Sequence, residues 1–174
     1  MRKWKSLGSK IVYKSPFMDF YEYQVERPNG KILPYYCVNK APACIVIPVD
    51  GEHTFVIKQF RFAANRISWE FPGGGADLKN PKKSAENELA EETGLRAQNV
   101  KLLGSFFINA GYSNQQCFVY SANGLTHGNV RHESTEFLEV HRITFKEFEA
   151  KITSGDVIDS SSISAFYLFK AMNA

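Results

Sequence analysis

Four glutamates fall within seven positions, Glu86, Glu88, Glu91 and Glu92, in the stretch ENELAEETGL that runs from Glu86 to Leu95. On a helix, Glu88 and Glu92 stack on one face with Glu91 close beside them. Each like-charge pair at that spacing costs about 0.2–0.5 kcal/mol. A divalent cation reverses the sign of that cost, because hard cations such as Mg²⁺ take carboxylate and carbonyl oxygens and share them with substrate phosphates. Just upstream, PGGG (Pro72 to Gly75) brings bare backbone, whose carbonyls could complete a metal shell and whose N–H groups could approach a phosphate. Such a site would polarise a phosphoryl oxygen and activate a water. The competing reading is a solvated acidic helix face, which any such helix taken alone satisfies. The glycine run beside it favours the metal.

The helix that carries these carboxylates is well punctuated. Asn80 suits an N-cap, Pro81 the first helical position and Gly94 the C-terminal cap, which predicts a helix from about Pro81 to Thr93. Three consecutive glycines predict a loop before it. Upstream, KIVYKSPFMDFYEYQV is rich in β-branched and aromatic residues, and RPNGK (Arg27 to Lys31) supplies an Asn-Gly hairpin turn into ILPYYCVNK, where Pro34 suits an edge. ACIVIPVD is a continuous apolar run typical of a buried strand, followed by TFVIKQFRF. Downstream, VKLLGSFFIN, QQCFVYSANGL and EFLEVHRI read as strands, and FKEFEAKITSG and SISAFYLFKAMN as helices. This order predicts a mixed β-sheet sandwiched between helices, an α/β or α+β fold. A β hairpin subdomain over residues 1–40 precedes a main domain over 41–174.

The 174 residues suffice for one domain with a core and a small added subdomain. A formal charge of +3 is too mild to argue for nucleic acid. The absence of any long apolar run argues against a membrane span, and MRKWKSLGSK is not a secretory signal. Cys37, Cys44 and Cys117 are widely spaced, without the pairing of a zinc site. They fit buried thiols in a reducing cytoplasm.

The segment Gly73 to Leu95 resembles the Nudix box, G-x5-E-x7-R-E-U-x-E-E-x-G-U with U a large aliphatic residue. Glu88, Leu89, Glu91, Glu92, Gly94 and Leu95 match its second half position by position. QFRF…WEFPGG and SGDVIDSSSISAF are similar to the ADP-ribose pyrophosphatase branch of that superfamily, and the PNGK hairpin to its N-terminal β subdomain. The resemblance spans nearly the whole chain. It implies a Nudix fold and hydrolysis of a nucleoside diphosphate derivative with Mg²⁺, or alternatively Mn²⁺. ADP-ribose, cleaved to AMP and ribose 5-phosphate, is the leading substrate. Another nucleotide sugar or a dinucleotide is the alternative, and a weakly catalytic nucleotide sensor is the rival of a different class. A cytoplasmic homodimer is implied, because the resembling enzymes often exchange N-terminal strands.

By the same resemblance Glu88 and Glu92 are metal ligands, with the Gly73 carbonyl a candidate ligand in one of two alignments of the glycines. Glu91 is a further ligand or a hydrogen-bond partner of water. Glu136 falls at a metal-binding position and Glu133 lies beside the catalytic-base position, which Ser134 occupies. Arg61 matches a substrate arginine, Glu70 is placed to hold a ribose hydroxyl or support the glycines, and Gly74 lies on the substrate side. AGYSN (Ala110 to Asn114) is similar to a substrate loop. With the box begun at Gly73, its first glutamate is Lys79, and in either alignment its arginine is Asn87. In the family these two orient the carboxylates. Their joint replacement reads as one relaxed ion pair with the metal ligands kept.

Overall fold

The computed structural model describes residues 2–128 and 137–173. The chain divides into two compact units: residues 1–41 with 107–116, and residues 42–106 with 117–174.

In the first unit, β1 (Lys5–Lys14), β2 (Met18–Glu26) and β3 (Ile32–Lys40) form an antiparallel sheet in that order. It has one strand more than the predicted hairpin. The aromatic-rich run is interrupted at Ser15, whose hydroxyl donates to the Met18 carbonyl at 2.7 Å and accepts from the Met18 N–H at 3.0 Å. Pro16 completes this Ser-Pro turn, which the surrounding strand-formers obscure. At the Asn-Gly turn Gly30 takes φ 79°, and Arg27 N–H closes on the Lys31 carbonyl at 2.9 Å. Pro34 lies on β3, the last strand of this sheet, where its missing N–H costs no ladder bond. The free edge of β3 is met in part by the segment 107–116. Val38 N–H donates to the Tyr112 carbonyl at 2.7 Å, and Asn114 N–H returns to the Val38 carbonyl at 3.3 Å. Gly111 accepts from the Tyr35 hydroxyl. AGYSN is therefore held on β3 by its own backbone.

The second unit has two sheets. In the first, β4 (Ala43–Pro48) lies between β7 (Gly73–Gly75) and β9 (Gln116–His127), with β8 (Leu95–Phe107) outside β9. It is mixed, since β4 runs antiparallel to β7 and parallel to β9. The second sheet, β10 (Leu138–Thr144), β5 (His53–Arg61) and β6 (Arg66–Glu70), is antiparallel. Both α1 (Pro81–Thr93) and α3 (Ser160–Met172) pack on β4, and α2 (Phe145–Ser154) on β10. Cys44 and Val46 of β4 meet Ala85 and Leu89 of α1 in one core cluster, while Ile45 and Ile47, on the opposite face, are buried as well. Burial on both faces explains why this strand reads as unbroken apolar sequence. Phe148 packs against both Phe71 and Phe166 in tilted ring pairs, with centroids 4.3 and 5.3 Å away.

Candidate active site

The helix α1 has the predicted bounds. The Asn80 Oδ1 accepts from Lys83 N–H at 3.1 Å, and Gly94 adopts φ 70° with its N–H on the Ala90 carbonyl at 3.0 Å. Because Leu89 and Ala85 are drawn into the core, the four glutamates separate by environment. Glu92 turns inward and is 5% exposed. Glu88 is half-buried, and Glu91 is exposed. Glu86 leaves the cluster for Lys83 and Lys82, at 3.6 and 3.9 Å, an ordinary surface pairing.

The three glycines are a strand and not the predicted loop. Their backbone pairs with Ala43 to Ile45 of β4. A Cβ on Gly73 would run into the Cys44 carbonyl and come 3.1 Å from the Ile45 Cα. The pairing therefore tolerates no side chain there, the situation in which glycine marks close approach of a second backbone. From this strand Gly73 N–H donates to Glu92 Oε2 at 2.8 Å. Gly74 faces Glu88: a Cβ there would stand 2.6 Å from the carboxylate carbon. The site thus brings Glu88 to Gly74 and Glu92 to Gly73.

Beside it, Arg61 at the end of β5 grips Glu70 at the end of β6. The Arg61 Nε–H donates to Glu70 Oε1 at 2.8 Å, and Nη2 donates to Oε2. Gln59 Nε2 reaches the same Oε2 at 3.3 Å. Glu70 is 2% exposed, the Arg61 side chain 48%. The hydrogen bonds to Glu70 hold the guanidinium pKa above its usual value, opposed by burial and reinforced by the charges of Glu70, Asp159 and Glu92. Arg61 therefore sits in a field set partly by the carboxylates around it. The pairing of Arg61 with a buried carboxylate is the feature that sequence reasoning missed. Its only signal was the period-2 spacing that puts Gln59 and Arg61 on one face of a strand.

The motif SGDVIDSSSISAF holds this region in place. Asp159 caps α3 by accepting from Ser162 N–H at 2.7 Å, and the buried Ser162 hydroxyl accepts from Phe71 N–H at 3.1 Å. Trp69 N–H donates to the Asp156 carbonyl at 3.1 Å. The WEF segment is thereby fixed to the start of α3. Under the glycines lies Cys44, whose thiol burial pushes up to about 11; burial pushes Cys117 to about 12. Both stay neutral, as fully buried thiols should, while Cys37 is half-buried.

Glu133, Ser134 and Glu136 lie outside the described residues. Lys79 and Asn87 are both exposed. Among the described residues, no group of three His, Cys, Asp or Glu side chains is gathered to hold a metal ion. The donors that do meet are two carboxylates and the backbone of a glycine strand. All are oxygen donors or bare peptide, and the missing Cβ at Gly74 leaves a cradle against Glu88. In kind they fit Mg²⁺.

Two family models cover nearly the whole chain: NUDIX domain over residues 39–163, and nucleoside diphosphate sugar hydrolase N-terminal domain over residues 4–38. The chain belongs to the NUDIX domain family and is a Nudix hydrolase. Among its relatives, the ADP-ribose pyrophosphatase of Bacillus subtilis is 27% identical over 98% of this chain and 94% of its own length. The CMP-5'-(N-acetyl-N-hydroxy-3-aminopropyl)phosphonate hydrolase of Streptomyces rubellomurinus is 29% identical over 92% of this chain and 79% of its own. A crystal structure of an ADP compounds hydrolase superposes with a TM-score of 0.87 at 19% identity, covering 99% of this chain and 95% of that one. The fold expected from the sequence, an α/β Nudix fold, is the observed one. Among the described residues, no helix is long and apolar enough to cross a membrane.

Proposed function

We propose that the protein hydrolyses the pyrophosphate bond of a nucleoside diphosphate derivative in the cytoplasm, with ADP-ribose as substrate and Mg²⁺ as cofactor, Mn²⁺ being the alternative ion. The observation that carries this reading is the pairing of Glu88 with Gly74 and of Glu92 with Gly73 on one glycine strand. Pyrophosphatases of ADP-ribose and of ADP-sugars among the relatives support the substrate class. Water adds to one phosphorus, the bridging P–O bond breaks, and the products are AMP and ribose 5-phosphate.

Glu88, Glu92 and the Gly73 carbonyl would hold the ion, together with Glu136. When bound, Mg²⁺ neutralises pyrophosphate charge and raises the acidity of a water. The Gly73 N–H donates to Glu92 Oε2 and so helps to orient the Glu92 carboxylate. Exposed on the same helix, Glu91 would accept a hydrogen bond from the attacking water or act as a further ligand. Glu133 is the candidate to receive its proton. Arg61, Glu70 and Gly74 form the substrate side: a guanidinium binds phosphate through paired N–H groups, and Gly74 lets a phosphate approach bare backbone.

A homodimer built on residues 1–40 completes the proposal. Its support is a sheet with Leu7, Ile11, Val12 and Tyr13 exposed on β1 and Phe17 exposed in the turn that follows, an apolar surface of the kind that associates.

The test is turnover of ADP-ribose and a panel of nucleotide sugars, with and without Mg²⁺, for the wild type and Glu92→Gln. Metal-dependent cleavage that falls at least a hundredfold in Glu92→Gln, with folding intact, supports the assignment. Full activity in that variant would falsify it. Saturable binding of ADP-ribose by the wild type without turnover would instead establish the sensor reading, which the exchange of the family arginine for exposed Asn87 favours.

A further inference from the structure

We propose that Glu70 is a positioning residue that acts through Arg61: it grips one edge of the guanidinium so that the other edge is presented to a substrate phosphate. This rests on the reading of Arg61 as the substrate arginine, and it assigns Glu70 no contact with the ribose. A guanidinium has five N–H donors in a planar fork. Glu70 occupies the Nε–H and one Nη2–H. Two of the three N–H groups left lie on the end-on edge formed by Nη1 and Nη2, the edge that Glu70 does not occupy. That edge has the spacing to take two oxygens of one phosphate.

The grip is itself braced. Gln59 donates to Glu70 Oε2, and Glu70 is 2% exposed while the arginine side chain is 48% exposed. The carboxylate is therefore the fixed partner and the guanidinium the presented one. Arginine loses several rotatable bonds of freedom on ordering, and a guanidinium already oriented binds without that loss. Lysine in its place would be a point charge unable to bridge Glu70 and a phosphate along two separate edges.

The decisive experiment is a double-mutant cycle of wild type, Arg61→Ala, Glu70→Gln and the double variant. It is read in steady-state hydrolysis of ADP-ribose with Mg²⁺, in calorimetric binding of ADP-ribose without added divalent ion, and in melting temperature. Replacing the carboxylate by an amide sets an N–H₂ group against the guanidinium and frees it. The expected result is a KM and a Kd about tenfold higher in Glu70→Gln, the worth of one charge-assisted hydrogen bond, with kcat within about twofold. In the double variant both constants should match those of Arg61→Ala, since a residue acting through another has nothing left to lose. Losses that add would overturn the proposal and leave Arg61 as a substrate residue. Wild-type KM and Kd in Arg61→Ala would overturn that reading and the proposal together. Should Glu70→Gln fail to fold, Gln59→Ala gives the second readout. A KM rise of about twofold that vanishes in the Arg61→Ala background supports the brace, and an unchanged KM rejects it.

Discussion

In the first unit Val25 is the one buried residue among those described, whereas in the second unit β4 alone buries five consecutive residues, Cys44 to Pro48. The two parts are held together by different physics. The first is a ladder of backbone hydrogen bonds with apolar side chains left on its surface. The second is a close-packed core from which the carboxylates of α1 emerge. A hydrogen-bonded ladder without a core contributes little net stability, because each bond replaces one made to water. The second unit has a core of its own, whereas the first leaves Leu7, Ile11, Val12 and Tyr13 exposed.

Leu89→Ala should break the second unit hardest. The side chain is 1% exposed within the core cluster of α1 and β4, and its removal should cost about 2–5 kcal/mol in denaturant unfolding. A loss below about 1 kcal/mol would mean that the core closes without α1.

Gly74→Ala should separate site from core. The three atoms nearest the new Cβ all belong to the far end of the Glu88 side chain, so the carboxylate should swing aside and the fold survive. Turnover of ADP-ribose should fall roughly tenfold, about 1.4 kcal/mol of barrier, with an unchanged melting temperature. Loss of folding instead would show that β7 is structural at this position too.

Thr144→Ala tests a local lock on α2. Thr144 and Glu147 form a reciprocal capping box, with Thr144 N–H on Glu147 Oε2 at 2.7 Å. Its loss should lower the melting temperature by about 2–4 °C at pH 7. That backbone bond, then the Thr144 hydroxyl, holds the Glu147 carboxyl below its usual pKa. A depressed carboxylate stabilises the fold above its unfolded pKa, and the contribution disappears as pH falls through the folded one. The difference between variant and wild type should therefore shrink in acid. A constant difference from neutral to acid pH would assign the effect to the bond the hydroxyl accepts from Glu147 N–H rather than to the one it donates to the carboxylate.

Ile11→Lys on β1 should have the smallest effect on the chain itself. An exposed position predicts a change within about 0.5 kcal/mol for a monomer. If the surface of the first unit is an interface between two copies, the same substitution should shift sedimentation from dimer to monomer. An unshifted dimer would place the interface elsewhere.

Much of the second unit was legible. Asn80, Pro81 and Gly94 give α1 its ends, since each acts within one turn of chain. The glycine strand was not, because a glycine run states only that a Cβ is forbidden; the Cys44 carbonyl and Ile45 backbone that forbid it come from elsewhere in the sequence. Glu88 and Glu92 could be told from Glu86 only by which side of α1 Leu89 faces. The grip of Glu70 on Arg61 depends on the pairing of β5 with β6, a register that no single strand encodes. The bond from Val38 to Tyr112 joins segments that share no pattern at all.

That last contact sets an order of events during synthesis. β1 to β3 leave the ribosome long before residues 107–116 exist, and at roughly 5–20 residues per second the gap from Val38 to Tyr112 lasts about 4–15 s. Through that interval the outer edge of β3 has open N–H and C=O groups, a template for any passing strand. Chaperone occupancy on the nascent chain should peak within that window and fall as Tyr112 emerges.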